Sequence, residues 1–252
     1  MNEWHDSMDI RIPFPEREWS SDVKQTPIKE CGEKMVPMSY APGRILVRPQ
    51  YYLQGLDGAL SETFMRESVY MRLIEAAEKL PRGYHIIVYD AWRPQIVQRS
   101  LFEAMRKRVR AKNAGMSDEE VKNATMKYVA LPTEDKSKAS PHSTGGAVDL
   151  TVADENGIVL DMGSGFDDLS EKAGTAYFEK KIERGITLSD KEREAAENRR
   201  ALYHLMKNAG LENYSDEWWH YEYGDQNWAW NTGNAYAVYG MTSPDLPWLE
   251  IC

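Results

Sequence analysis

The chain has 252 residues, of which 42% are apolar and 28% charged, ordinary proportions for a globular enzyme with length for one large domain or two small ones. Its 31 Lys and Arg stand against 40 Asp and Glu, a formal charge of −9, which excludes the basic footprint of a general nucleic-acid binder and disfavours docking on anionic membranes. Two cysteines, Cys31 and Cys252, cannot build a disulfide scaffold or a four-sulfur zinc site, so any metal ligands must come from His5, His85, His142, His204 and His220 with carboxylates.

No segment approaches the roughly 18 consecutive apolar residues of a membrane-spanning helix. The opening MNEWHDSMDIRIPFPEREW lacks the charged-then-apolar pattern of a signal peptide, so the expected location is the cytoplasm. Residues 1–40, rich in Pro, Trp and charge, are expected to form an arm packed on the domain that follows at 41–252. Pro37 and Ala41-Pro42-Gly43 punctuate its end. Residues 44–47 suggest a short strand.

Met65, Val69, Leu73, Ala77 and Leu80 recur at three- and four-residue steps, which predicts an amphipathic helix over 61–80, stopped by Pro81 and Gly83. The run YHIIVY at 84–89 predicts a buried strand. It leads into Asp90-Ala91-Trp92-Arg93-Pro94, and Pro94 suits the first position of a helix that continues through Val97, Leu101, Met105 and Val109. Ser117…Glu120 is a capping box that opens another helix, part of a helical insert at about 112–139. After a polar loop, residues 147–152 alternate: Ala147, Asp149 and Thr151 on one face, Val148, Leu150 and Val152 on the other.

Residues 154–188 form a long Gly- and Asp-rich connection without clear periodicity, a kind more often functional than idle. A second capping box, Ser189…Glu192, opens a helix to about Ala209, with Gly210 past its end. Residues 217–223 read as a strand, and 227–239 as aromatic and irregular. Strands and helices do not alternate regularly, so an α+β fold is expected over a doubly wound sheet.

Among the histidines, His5 falls in the arm, His204 on the outer side of its helix with Arg200 and Asn208, and His85 at the start of a strand. His142 differs: it follows Ser140-Pro141 in a loop and stands seven residues before Asp149, with two glycines between that allow a tight bend. A carboxylate among Val148, Leu150 and Val152 is costly to bury unless a metal or a strong hydrogen-bond partner relieves it. The competing reading is a solvated loop histidine and an aspartate paired with an arginine. His220 lies in EWWHYE; on an ideal strand Glu217 and His220 would face opposite ways, so the chain must turn between them to serve one site. Two imidazoles and one carboxylate, from His142, Asp149 and His220, make a candidate zinc site with the fourth position open. Glu217, three residues before a ligand, could then act as general base, and Arg93, after a buried strand, could reach an oxyanion or simply pair with Asp90.

Ser140-x-His142-x6-Asp149 with Glu217-x-x-His220 resembles the zinc D,D-peptidases, specifically the VanX-type D-alanyl-D-alanine dipeptidases, of the group that includes lysostaphin-like peptidases and the hedgehog signalling domain. YDAWRP, SPHSTGGAVDLTV, MGSGFDDLSEKAG at 162–174 and EWWHY carry the resemblance in collinear order. It implies an α+β fold with a central antiparallel sheet, flanking helices and a zinc-binding cleft. It implies one zinc held by His142, Asp149 and His220, Glu217 as general base and acid, and Arg93 against the tetrahedral intermediate. Asp167 would receive the substrate's ammonium group and Ser140 would make a polar substrate contact. The implied substrate is a small D,D-dipeptide such as D-alanyl-D-alanine, in peptidoglycan metabolism, as antibiotic resistance or D-alanine salvage. A D,D-carboxypeptidase or peptidoglycan endopeptidase, and a non-catalytic zinc-containing binding module, are the alternatives. The segment QYYLQG at 50–55 does not cleanly match the family's early substrate-contacting tyrosine, which leaves Tyr51 and Tyr52 undivided.

Overall fold

The computed structural model describes residues 3–15, 21–40, 43–126 and 128–245; Ala41, Pro42 and Cys252 lie outside them. In chain order the elements are α1 (Glu3–Ser7), β1 (Met35–Pro37), β2 (Ile45–Val47), α2 (Gln50–Leu53), β3 (Phe64–Arg66), α3 (Glu67–Glu78), β4 (His85–Asp90), α4 (Gln95–Lys112), α5 (Asp118–Thr125), β5 (Ala147–Ala153), α6 (Tyr177–Glu183), α7 (Asp190–Asn208), β6 (Glu212–Asn213), β7 (His220–Glu222) and α8 (Gln226–Thr232). Short 3₁₀ turns fall between several of them, including Pro141–Thr144.

The main sheet runs β2-β4-β5-β7-β6. It is antiparallel except at one edge, where β2 runs parallel to β4 with Ile45 opposite Ile86. Central β5 is buried along its whole length. Its alternation divides the molecule. Val148, Leu150 and Val152 point into the main core with Val69, Leu73 and Ala77 of α3 and Ala201, Leu202 and Leu205 of α7. Ala147, Asp149 and Thr151 therefore take the other face, where the chemistry collects. Helices α4 and α5 pack on each other through Met105, Val109 and Val121, apart from the main core.

Several expectations change in detail. The first residues of the expected 61–80 helix are a strand: Phe64–Arg66 pair with Met35–Pro37, and the helix starts at Glu67. Pairing with a partner distant in sequence overrides the local three–four pattern there. The 154–188 connection contains α6, whose Phe178 packs with Leu188, Ala195 and Ala196. The 227–239 segment opens with α8, capped by Asp225 Oδ1 accepting from the Trp228 N–H at 2.8 Å. The outer face of α7 is covered: Arg200 pairs with Glu179, and His204 Nε2 lies 3.1 Å from the Ile10 carbonyl of the N-terminal segment. Trp4 of α1 is buried in the main core.

Candidate metal centre and active site

The site is assembled by strand register. Asp90 on β4 lies opposite Asp149 on β5, and Asp149 lies opposite His220 on β7. One cross-strand row thus carries three titratable side chains side by side. The β4 register shifts between Val88 and Asp90, which brings Asp90 into line. His142 arrives from the 3₁₀ turn just before β5. That turn needs its glycines. Gly145 has φ +72°, where a Cβ would also strike Met35 Sδ, and a Cβ on Gly146 would overlap the Tyr223 carbonyl. The turn is stitched to YDAWRP twice: the Arg93 N–H donates to the His142 carbonyl at 3.1 Å, and His142 Nδ1 donates to the Ala91 carbonyl at 2.7 Å.

Spending Nδ1 on Ala91 leaves the Nε2 lone pair of His142 facing inward. His220 is oriented the other way round: its Nε2 lies 3.1 Å from Glu222 Oε2, and its Nδ1 lies 3.0 Å from Asp149 Oδ1. His142 Nε2 and His220 Nδ1 are 3.1 Å apart, and His142 Nε2 is 3.4 Å from Asp149 Oδ2. Candidate ligand atoms of the three residues lie within 4.8 Å of one another, and all three residues are buried. Two imidazole lone pairs and a carboxylate converging in this way suit a cation with a borderline-soft donor preference, which zinc is. Burial works against both charges here. Even so, His142 and His220 hold Asp149 well below the usual carboxylate range. Flanked by Asp149 and Glu222, His220 holds a second proton well above the usual imidazole range, which a dication must displace.

Glu217 is not on the strand. The Glu217 N–H donates to the Tyr214 carbonyl and the His220 N–H to the Glu217 carbonyl, so residues 214–220 form turns and only His220–Glu222 is extended. This is the bend that the sequence requires if Glu217 and His220 are to share a site. Half-buried, Glu217 has its Oε2 4.0 Å from His220 Nδ1. Burial, and then the charges of Asp149 and Asp167 opposing His220, push its carboxyl up to about 7.

Arg93 is a hub. Its Nε donates to Asp90 Oδ2 at 2.8 Å, Nη1 to Gln98 Oε1 at 2.9 Å, and Nη2 to Tyr51 OH at 3.3 Å and Asp149 Oδ2 at 3.4 Å. The pairing with Asp90 considered from sequence is therefore real, but it is a buried pair inside the site rather than a surface one. Burial opposes the guanidinium charge; Tyr51, Asp90, Asp149 and Asp167 more than offset it. Tyr51 is buried and Tyr52 is half exposed, which divides the two. The Tyr51 hydroxyl also donates to Asp167 Oδ1 at 3.4 Å. Asp167 stands at the rim with its carboxyl turned inward, in the left-handed region at φ 58°. Loss of water around that carboxyl and the charge of Asp149 push it up to about 6. Phe166 beside it meets Tyr51, Tyr89 and Trp219 at ring separations of 5.9, 5.0 and 5.5 Å, an aromatic wall to the cleft. Ser140 sits half-buried just ahead of the His142 turn, and its hydroxyl makes no capping bond there.

The structure thus gathers His142, Asp149, His220, Glu217, Arg93 and Asp167, with Ser140 adjacent in the chain. It brings in Tyr51 and Asp90, which the sequence offered only as one of two tyrosines and as a possible partner of Arg93, and it adds Gln98 and Glu222. Of these two, only Glu222 carried a readable signal: two residues after His220 on a strand, it must share that residue's face. The loop bearing Asp167 is held from behind by Arg199 of α7, whose buried guanidinium donates to the carbonyls of Met162, Lys172 and Gly174. His5, His85 and His204 lie outside the candidate ligand group.

The chain is similar to known proteins. Residues 59–238 match the Peptidase_M15 family model, described as D-ala-D-ala dipeptidase. A D-alanyl-D-alanine dipeptidase of Synechocystis is 31% identical over 216 residues, covering 81% of this chain and 87% of its own. One from Escherichia coli is 31% identical over 56% of this chain and 55% of its own. Among solved structures, a mutant of the vancomycin-resistance D,D-pentapeptidase VanY with Zn(II) is 18% identical over 71% of this chain and 83% of its own, at a TM-score of 0.34, a superposition too loose to argue from.

Proposed function

Because the chain belongs to the D-Ala-D-Ala dipeptidase family of metallopeptidases, we propose that His142, Asp149 and His220 hold one zinc ion for the hydrolysis of D-alanyl-D-alanine or a similar D,D-dipeptide. The observation that carries this is the convergence of His142 Nε2, His220 Nδ1 and the Asp149 carboxylate, with the remaining ring nitrogens committed to Ala91 and Glu222. Zinc, when bound, supplies a Lewis acid for the scissile carbonyl and lowers the pKa of water to about 7.

The protein's own groups do the rest. Glu217 takes a proton from the attacking water and hands it to the leaving amine as the peptide bond breaks. Its elevated carboxyl suits both directions of transfer. Arg93, preorganised by Asp90, Gln98 and Tyr51, presents its guanidinium to the developing oxyanion. Asp167 receives the free ammonium of the dipeptide, with Ser140 as a polar contact beside it. The Phe166 wall shields the reacting centre from water. Residues 41–252 carry this site, with 1–40 as an arm on it. Among the described residues no helix is long and apolar enough to cross a membrane. A cytoplasmic enzyme acting on free dipeptide, in D-alanine salvage or in antibiotic resistance, is the physiological reading that accompanies the chemistry.

The test is release of D-alanine from D-alanyl-D-alanine by zinc-loaded protein, followed by a coupled assay, beside the N-acetylated dipeptide. Turnover of the free dipeptide alone is expected. Turnover only of blocked or longer D,D-peptides would replace the dipeptidase with a carboxypeptidase. No turnover of any D,D-peptide with zinc bound would leave a binding module.

A further inference from the structure

His142 and His220 offer opposite ring nitrogens to the centre, and a specific device sets the choice at each. At His142 it is the Ala91 carbonyl. At His220 it is Glu222, which the chemistry above leaves without a part. The two lie at alternate positions of β7, so both point to the same face. Across the ladder Glu222 faces Ala147, whose single methyl leaves the space for a glutamate. Glu222 has no solvent exposure. Its Oε2 lies 3.1 Å from His220 Nε2 and accepts from Asn227 Nδ2 at 3.1 Å, while its Oε1 is buried with no hydrogen-bond partner. A carboxylate buried on those terms is costly, and it calls for a counter-charge. Lys24, in the segment ahead of the domain, supplies one: it acts electrostatically on both Glu222 and Asp225, and its ammonium donates to the Ala139 carbonyl at 2.7 Å, at the entrance to the His142 turn. Gln226 Nε2 ties the same region together, donating to the Thr26 carbonyl at 2.7 Å and the Ser137 carbonyl at 3.0 Å.

We propose that Glu222 is the positioning residue of the metal centre: by accepting the Nε2 proton of His220 it fixes the tautomer that offers Nδ1 as ligand. Asn227 holds the carboxylate in place, and Lys24 balances its charge. Glu222 lies behind the ring and is not itself a ligand. The inference rests on His142, Asp149 and His220 binding zinc. A ligand histidine whose rear proton goes to a carboxylate is both oriented and made more basic, and losing such a partner costs about 10- to 100-fold in metal affinity.

The experiment compares wild type, Glu222→Gln, Glu222→Met and Asp149→Ala by zinc competition against a chromophoric chelator at fixed pH, with thermal melts of each. The cobalt(II) spectrum of each protein reports ligand geometry independently of turnover. Glu222→Gln keeps an acceptor without the charge and is expected to bind zinc about 10-fold more weakly; Glu222→Met removes the acceptor and is expected to lose about 100-fold, with an altered cobalt spectrum. Wild-type zinc affinity and cobalt spectrum in folded Glu222→Met overturn the proposal. If that variant does not fold, unchanged affinity and spectrum in Glu222→Gln overturn it. Equal zinc binding by wild type and Asp149→Ala would fell the metal-site reading as well, a result distinct from failure at Glu222 alone.

Discussion

Arg93→Lys separates charge from shape at the centre of the cleft. The substitution keeps one positive charge but replaces a planar fork with a point. Arg93 now bonds Asp90, Gln98, Tyr51 and Asp149 at 2.8, 2.9, 3.3 and 3.4 Å, through three different nitrogens. A lysine ammonium is drawn to the carboxylates, so Gln98 Oε1 and the Tyr51 hydroxyl lose their donor. Each hydrogen bond to a charged group is worth about 1.5–3 kcal/mol, and the lysine recovers some of it, which puts the stability loss at about 2–4 kcal/mol. Loss of an aimed oxyanion donor costs about 10²–10³ in kcat, or roughly 3–4 kcal/mol. Zinc content should hold, because the Arg93 side chain touches only Asp149 among the ligands, at the longest of its four distances, and its backbone N–H bond to the His142 carbonyl survives the substitution. The assay is kcat and KM for D-alanine release at saturating zinc, with zinc per chain and a denaturant melt. A kcat within about threefold of wild type would refute the role of the fork, since charge alone would then suffice. Loss of zinc would mean that Arg93 acts by building the metal site rather than on the substrate.

Three further outcomes follow from the same geometry. Glu217→Ala should keep zinc and lose about 10²–10⁴ in kcat; if elemental analysis finds the metal gone, Glu217 is a ligand and not a base. Asp167→Asn keeps a residue that tolerates φ 58°; it should raise KM for the free dipeptide about tenfold or more while kcat changes less, and an unchanged KM would remove Asp167 from ammonium binding. In the metal-free protein the Glu217 carboxyl, ordinarily near 4.5, sits at about 7. The folded chain therefore retains a proton across that interval that the unfolded chain has given up, so this group's contribution to stability is lost as pH rises from about 4.5 through about 7. Glu217 is half-buried, so screening limits the effect to about 1–2 kcal/mol. Denaturant melts of metal-free wild type and Glu217→Gln at acid and alkaline pH should show wild type the less stable of the two only at the alkaline end, and parallel curves would contradict this.

What could be read from the chain was what repeats locally. The β5 alternation placed Asp149 opposite the apolar face, and the two capping boxes at Ser117 and Ser189 are both formed. The need for a turn between Glu217 and His220 followed from strand geometry alone. What stayed hidden depends on register between distant strands. Nothing in the chain sets Asp90 opposite Asp149, or Ala147 opposite Glu222. The strand at Phe64–Arg66 was lost inside a good helical pattern because its partner lies near residue 36. Tyr51 and Tyr52 are adjacent in sequence and alike in chemistry; only the packing of α2 near β4 sends one inward. Gln98 falls inside the helix expected after Pro94 with nothing in the sequence to single it out, yet it bonds Arg93 and donates to the Ala130 carbonyl, so it ties Arg93 to the helical insert.

The acids around the centre divide into two kinds, and the division explains how an electronegative cleft can be ready for both metal and substrate. Asp90 and Glu222 stand behind the two imidazoles: Asp90 Oδ2 lies 3.3 Å from His142 Nδ1 and accepts from Arg93 Nε at 2.8 Å, and Glu222 Oε2 lies 3.1 Å from His220 Nε2, so both are held by protein groups rather than presented to the cleft. Glu217 and Asp167 stand at the mouth, and burial raises both toward protonation, to about 7 and about 6. An arriving cation reverses that, since positive charge nearby favours the ionised carboxylate. A dication held by His142, Asp149 and His220 would favour the ionised form of Glu217, the form the proposed base needs. In the proposed role of Asp167, the ammonium of a dipeptide would do the same for it. In these proposed roles, each group would be brought to its working charge by the partner it serves. A blocked amino terminus would leave Asp167 partly protonated and without that partner. On the proposed roles, a preference for a free dipeptide would then rest on this coupling between ammonium and carboxylate as much as on the shape of the cleft.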